Sequence, residues 1–186
     1  MNNTVTSKDD ILAASREIIS REGLPAVSIR SVAAACGVSV GSIYNYFDSK
    51  AELVGAAVES VWREIFHRGG DGGGEFGDIQ SCIVWMYGRM ERGCEQYPGF
   101  FRLHSLSFVR EDRPGGRETM QQTWRHILDG LALVLRRDPN VREGAFTEEL
   151  TADAFAGVLF SLMLSAMLRQ DYDPGAVLEI VRRTLY

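Results

Sequence analysis

An all-α protein of about nine helices is the fold class this sequence predicts, on three observations. Apolar residues recur at three-to-four spacing along nearly all of the 186 residues, the period at which side chains share one helix face. No stretch shows the strict alternation of a half-buried strand. The breaks between periodic stretches carry helix punctuation, with Ser before a run and glycine or proline after it.

Each element can be justified in order. Ile11, Ala14, Ile18 and Ile19 fall on one face of a first helix, which runs from about Ser7, a capping hydroxyl, to Arg21. Gly23 supplies its stop. A second helix begins near Ser28 and ends by Gly37, with Val32, Ala33 and Ala35 inside it. Ser39 caps a third, running to about Phe47. Ser49 followed by Glu52 is a capping box for a connector helix over 49–67, with Leu53, Ala57, Val61 and Ile65 inward.

The segment "RGGDGGGEFGD" then places six glycines in eleven residues, which predicts a loop over 68–78. Beyond it the pattern predicts helices at 78–97, 99–110, 117–137, 147–170 and 174–185. Pro98-Gly99, "DRPGG" at 112–116 and Asp138-Pro139-Asn140 separate them, and Asp173-Pro174 opens the last. The domains expected are 1–47 and 48–186.

Composition bounds the function. A net charge of −5 gives no global attraction for nucleic acid. Residues 1–50 are balanced, however, with Lys8, Arg16, Arg21, Arg30 and Lys50 against five acidic side chains. The N-terminal part is thus the place to look for contact with a polyanion. Cys36, Cys82 and Cys94 are too scattered for a disulfide framework or a metal site, and they suggest reduced thiols in a cytoplasmic protein. Met1–Ser7 is polar and lacks the apolar stretch of a signal peptide. The most apolar run, Ala154–Leu168, is fifteen residues, short of the roughly 18–20 that cross a bilayer. It reads as a buried core helix, with no membrane partner.

Two short helices joined by Cys36-Gly37-Val38 form a helix-turn-helix signature, the glycine turn setting them at a steep angle. In that arrangement the second helix enters the major groove of DNA by its N-terminal residues. Val38, Ile43 and Phe47 can point inward, which leaves Val40, Gly41, Ser42, Tyr44, Asn45 and Tyr46 outward. Small residues at 40–42 permit close approach to base edges.

The stretch "ILAASREIISREGLPAVSIRSVAAACGVSVGSIYNYFDSKAELV" resembles the N-terminal domain of the tetracycline-repressor (TetR) family. The matching features are "IL-AA---I----G" and "S-R-VA---GVS-G--Y-YF-SK--L", and they cover residues 11–53. The resemblance implies DNA-binding roles for Ser28, Arg30, Ser39, Val40, Gly41, Ser42, Tyr44, Asn45, Tyr46 and Lys50. Ser28, Arg30, Tyr44, Tyr46 and Lys50 would hold phosphates. Val40 would touch a thymine methyl, and Asn45 a base or a phosphate. Where many relatives carry a cation in the groove-facing turn, this chain has Val40-Gly41-Ser42.

The C-terminal part is rich in bulky, adaptable side chains, and the family resemblance implies an apolar effector pocket there. Its candidate lining is Trp85, Met86, Phe101, His104, Phe108, Trp124, Phe155 and Met163. Helix 117–137 carries one apolar stripe, and 154–168 is apolar nearly all round, so it needs cover on every side. Pairing with a second copy through Trp124, Leu128, Leu131, Leu159, Leu162, Met163 and Ala166 would give an isologous four-helix interface.

No catalytic constellation, metal-ligand spacing or cofactor motif is recognisable in the sequence. His67, His104 and His126 lie at no metal-binding interval. The expectation is therefore a homodimeric transcriptional regulator, a repressor released from a palindromic operator by a small apolar effector. The alternative is a helical small-molecule-binding protein whose DNA module is vestigial. A redox switch through Cys82 and Cys94 is disfavoured, since twelve residues of one helix place them about 18 Å apart.

Overall fold

The structure, a computed structural model, describes residues 6–66, 76–101 and 114–186. Among these residues it is all helical: α1 Lys8–Glu22, α2 Ile29–Cys36, α3 Val40–Tyr44, α4 Lys50–Phe66, α5 Ile79–Gln96, α6 Pro114–Arg137, α7 Ala152–Arg169 and α8 Gly175–Leu185, with a 3-10 turn at Leu24–Ala26. The chain divides into two compact units, Met1–Ile65 with Cys94–Gln121, and Phe66–Gly93 with Gln122–Tyr186. Each is described by itself.

In the first unit, local signals set the helix ends. Ser7 and Asp10 form a reciprocal capping box at α1, with Asp10 N donating to Ser7 Oγ at 3.1 Å and Ser7 N to Asp10 Oδ2 at 2.9 Å. The carboxyl of Asp10 is held below its usual range by those bonds to Ser7. Gly23 closes α1 at φ 85°. Gly37 closes α2 in the left-handed region, at φ 67° and ψ 27°. That conformation lets Val38 N reach Ala33 O at 3.0 Å, which ends the helix and reverses the chain toward α3. Helix α1 packs on α2 and α2 on α3, around Ile11, Ile19, Val32, Ile43 and Phe47.

Helix α4 buries Leu53, Ala57, Val61 and Ile65, the expected face, together with Trp62. Trp62 meets Phe100 and Phe101 edge-on. A half-buried polar knot ties α1 to α4 and to the chain just after α5. Glu64 accepts from Arg16, from Gln96 Nε2 at 2.7 Å and from the Tyr97 hydroxyl at 3.0 Å. Arg16 also donates to Ser60 Oγ at 2.7 Å.

In the second unit, α5 starts on a buried carboxylate. Asp138, just past α6, accepts from Ile79 N at 2.9 Å, from Asn140 N at 2.9 Å and from the Tyr186 hydroxyl at 2.5 Å. Burial, then this bond to Asp138, raises the Tyr186 hydroxyl above its ordinary value.

Three boundaries differ from expectation. Helix α3 stops at Tyr44 rather than Phe47, because Asp48 and Ser49 are occupied in starting α4: Asp48 N donates to Glu52 Oε2 and Glu52 N to Ser49 Oγ. Helix α6 begins at Pro114, inside the expected break, since proline fits a first helical turn whose N–H groups have no partner. Helix α7 begins at Ala152 rather than 147. Thr147 closes a turn with Leu150, and Thr151 caps the helix by accepting from Ala154 N at 3.1 Å.

At 18 residues and mean hydropathy 1.4, α7 is long and apolar enough to cross a membrane by length and composition, and it exceeds the fifteen residues expected. Phe155, Ala156, Leu159, Phe160, Met163 and Met167 lie on its buried side. Of the helix expected at 99–110, Gly99 lies in a turn and residues 100 and 101 are helical; residues 102–110, with most of the 68–78 loop, lie outside the described residues.

Candidate nucleic-acid interface

The short helix α3 has two sharply different faces. Ile43 and, just beyond it, Phe47 are 0–1% exposed. Val40 and Tyr44, one turn apart on the opposite side, stand 41% and 50% exposed. Ser39 begins the helix, its Oγ accepting from Ser42 N at 3.1 Å, which leaves Val40 and Gly41 at the leading turn.

Gly41 is informative because nothing in the chain requires it. A Cβ there would meet only Ser39 Oγ at 3.7 Å, an ordinary contact, while glycine inside a helix costs roughly 0.5–1 kcal/mol relative to alanine.

The remaining candidates surround this face. Ser28 caps α2, with Ser31 N donating to its Oγ at 3.0 Å and Ser28 N to Ser31 Oγ at 2.9 Å. Its hydroxyl thus has a structural task. Arg30 is exposed on the first turn of α2, Asn45 is exposed at the end of α3, and Lys50 is exposed as the first residue of α4.

Tyr46 is 38% exposed, but its hydroxyl donates to the carbonyl of Thr6, forty residues away. Its proton is thus already placed, and the oxygen is left as an acceptor. Sequence reasoning did not find this bond, nor the ammonium of Lys8 lying 5.3 Å from the Phe47 ring centroid. Both join segments distant in the chain, and no local pattern marks them.

The C-terminal candidates separate. Phe101 lies in the first unit beside Trp62. Trp85, Met86, Trp124, Phe155 and Met163 lie in the second. There Trp85 packs against Phe66 and Phe76, with Arg89 over its ring, and Trp124 meets Phe160 edge-on. His104 and Phe108 fall outside the described residues.

Of the residues expected between two copies, Leu131, Leu159, Met163 and Ala166 are 1–2% exposed and sit in the core of one chain, while Trp124, Leu128 and Leu162 are half-buried. Exposed instead are Val158 at 46% and Leu168 at 48% on α7, and Ile180 at 44% on α8. Among the described residues no group of three His, Cys, Asp or Glu could hold a metal ion.

Residues 11–57 match the family of bacterial regulatory proteins described as the tetR family. The HTH-type transcriptional repressor KstR of Mycolicibacterium smegmatis is 29% identical over 108 residues, 58% of this chain and 53% of KstR, so the match spans about half of that relative. The transcriptional regulator FadR of Bacillus subtilis, solved in complex with stearoyl-CoA, superposes with TM-score 0.71 at 17% identity, over 97% of this chain and 100% of its own. BioQ, solved with its double-stranded DNA operator, gives 0.58 at 19% identity, over 90% of this chain and 87% of its own. The structural matches share the fold.

Proposed function

We propose that this chain, whose residues 11–57 match the TetR family of bacterial regulatory proteins, is a transcriptional regulator of that family and acts as a homodimeric repressor. It binds a palindromic operator through α3 and is released by a small apolar effector. The observation that carries the DNA reading is the exposed face of α3. An apolar Val40, a bare Gly41 and a projecting Tyr44, on a helix whose other side is core, make a slim surface that suits the floor of a major groove.

Tyr44, Lys50 and Arg30 hold phosphates beside that face, and Val40 and Ser42 meet base edges. Ser28 and Ser39 contribute chiefly by holding the N-termini of α2 and α3 in place. With so few cations per subunit, the salt dependence of binding is shallow.

Self-association uses the outward side of α7. Ala154, Val158, Ser161, Ser165 and Leu168 follow one another at three-to-four spacing along one line of the helix, opposite its buried side. The same line in a second copy gives a self-complementary contact. Two copies of α3 then meet successive major grooves about 34–36 Å apart. An effector that binds better at another separation shifts the equilibrium by its differential affinity; a coupling of about 1–3 kcal/mol changes DNA affinity some 5- to 150-fold. FadR, solved with stearoyl-CoA on this fold, supports a ligand bearing a long apolar chain for the C-terminal unit. No step needs a cofactor or a membrane, and the site of action is the cytoplasm.

The test is an electrophoretic shift on a library of genomic fragments at two salt concentrations. Retention of particular fragments, lost with Tyr44→Phe and Lys50→Ala together, is the expected result. If no fragment is retained specifically, the alternative of a helical small-molecule-binding protein takes its place.

A further inference from the structure

We propose that Lys8, on α1, is a DNA phosphate contact that completes the grip begun by Lys50; the inference rests on the DNA-binding reading above. The chain has only two lysines among its 20 basic side chains, Lys8 and Lys50. Both lie against the same short segment. Lys50 follows Phe47 by three residues, and the Lys8 ammonium sits 5.3 Å from the Phe47 ring centroid.

The placement is built rather than incidental. The Tyr46 hydroxyl donates to the Thr6 carbonyl, which fixes the start of α1 alongside the end of the exposed segment 39–46. Phe47 is only 1% exposed and the Lys8 ammonium lies over its ring, while Lys8 as a whole is exposed, so the ammonium is held at the ring and still open to solvent. Among the described residues Lys8 makes no ion pair, and its three donors remain available to an anion.

The amides at the start of α1 are not the attraction. Ser7 and Asp10 cap them, and the Asp10 carboxylate lies where an anion would otherwise sit. The charge offered to DNA is therefore the ammonium alone. A compact, mobile ammonium suits a single phosphate oxygen, where the planar fork of arginine favours two-point contacts. Lys8 with Lys50 then supplies the phosphate contacts at the end that α3 presents last.

The scarcity of lysine makes this directly testable. Full-length protein, alone and bound to a fragment retained in the library shift, is treated with an amine-acylating ester, and labelling is read by peptide mass spectrometry. DNA is expected to protect Lys8 and Lys50 together. In parallel, log K against log salt is measured for wild type, Lys8→Met, which keeps an apolar stem over Phe47, and Lys8→Arg. Lys8→Met is expected to lower the slope by about 0.9 per subunit and to weaken every retained fragment alike, whereas Lys8→Arg keeps the slope. Unchanged melting of Lys8→Met excludes a folding effect, and a packing role alone would leave the slope untouched. The proposal is overturned if Lys50 is protected while Lys8 is acylated at its free rate, or if Lys8→Met keeps the wild-type slope. Failure of wild type to retain any fragment defeats instead the DNA-binding reading on which it rests.

Discussion

Replacing Asp138 by alanine should destabilise the second unit substantially, although the residue lies on no expected interface. Its carboxylate is 6% exposed and accepts from three donors: Ile79 N, Asn140 N and the Tyr186 hydroxyl. Asn140 is exposed, so its amide can turn to water. Ile79 is 0% exposed and Tyr186 half-buried, so their donors lose their partner where water reaches them poorly. Each such orphan costs about 1–3 kcal/mol, so the two give a total of about 2–6 kcal/mol. The negative charge at the N-terminus of α5 is lost as well. For a chain of this size each kcal/mol moves the midpoint by about 2–4 °C, so the expected drop is about 4–24 °C. Circular dichroism melts of Asp138→Ala, Asp138→Asn and Tyr186→Phe provide the assay. Asn should fall between, because its carbonyl still accepts while its amide must turn away a donor. Tyr186→Phe should lose least, because it removes a single donor while the Asp138 carboxylate keeps the Ile79 and Asn140 amides. Hydrogen exchange at Ile79 should quicken in Asp138→Ala. A melt of Asp138→Ala within about 1 °C of wild type would refute the reasoning.

Three further outcomes are expected. Tyr97 and Tyr186 are both raised by burial and then by hydrogen bonds to Glu64 and Asp138. Their folded values lie above the unfolded one, so their contribution is complete below about pH 10 and is lost as pH rises toward the folded values; melts between about pH 9 and pH 11.5 should show this fall, and Tyr97→Phe should reduce it. Gly41→Ala should raise stability by about 0.5–1 kcal/mol, since the added methyl fits, yet weaken DNA binding in the mobility shift; retained affinity would remove Gly41 from the interface. Val158→Arg with Leu168→Glu should yield a monomer by light scattering with an unchanged melt of the isolated chain, because both side chains are already in solvent; a persistent dimer would place the interface elsewhere.

Much of the N-terminal unit is legible because its instructions are local. Ser7, Ser28 and Ser39 sit three residues before the amides they cap, and Gly37 occupies the one position where the chain turns through the left-handed region. The outward face of α3 follows from helical period alone. Legibility fails where a decision depends on distant partners. Tyr46 looks like a phosphate donor in the sequence, yet its proton goes to Thr6, forty residues away. The C-terminal unit is harder still. A helix apolar all round announces that it is covered without saying which side a neighbour within the chain covers, so Leu159 and Met163 could not be told from Val158.

By itself, then, the sequence determined the helical class, the caps and turns at the ends of the first three helices, and the side of α3 left in solvent. Each is a matter of bonds and periods within a few residues. Tertiary structure alone decided the Tyr46–Thr6 bond, the seat of Lys8 on Phe47, the burial of Asp138, and the side of α7 left in solvent. Those depend on which residues, far apart in the chain, come to share a boundary from which water is excluded, and such pairings leave no periodic trace along the chain.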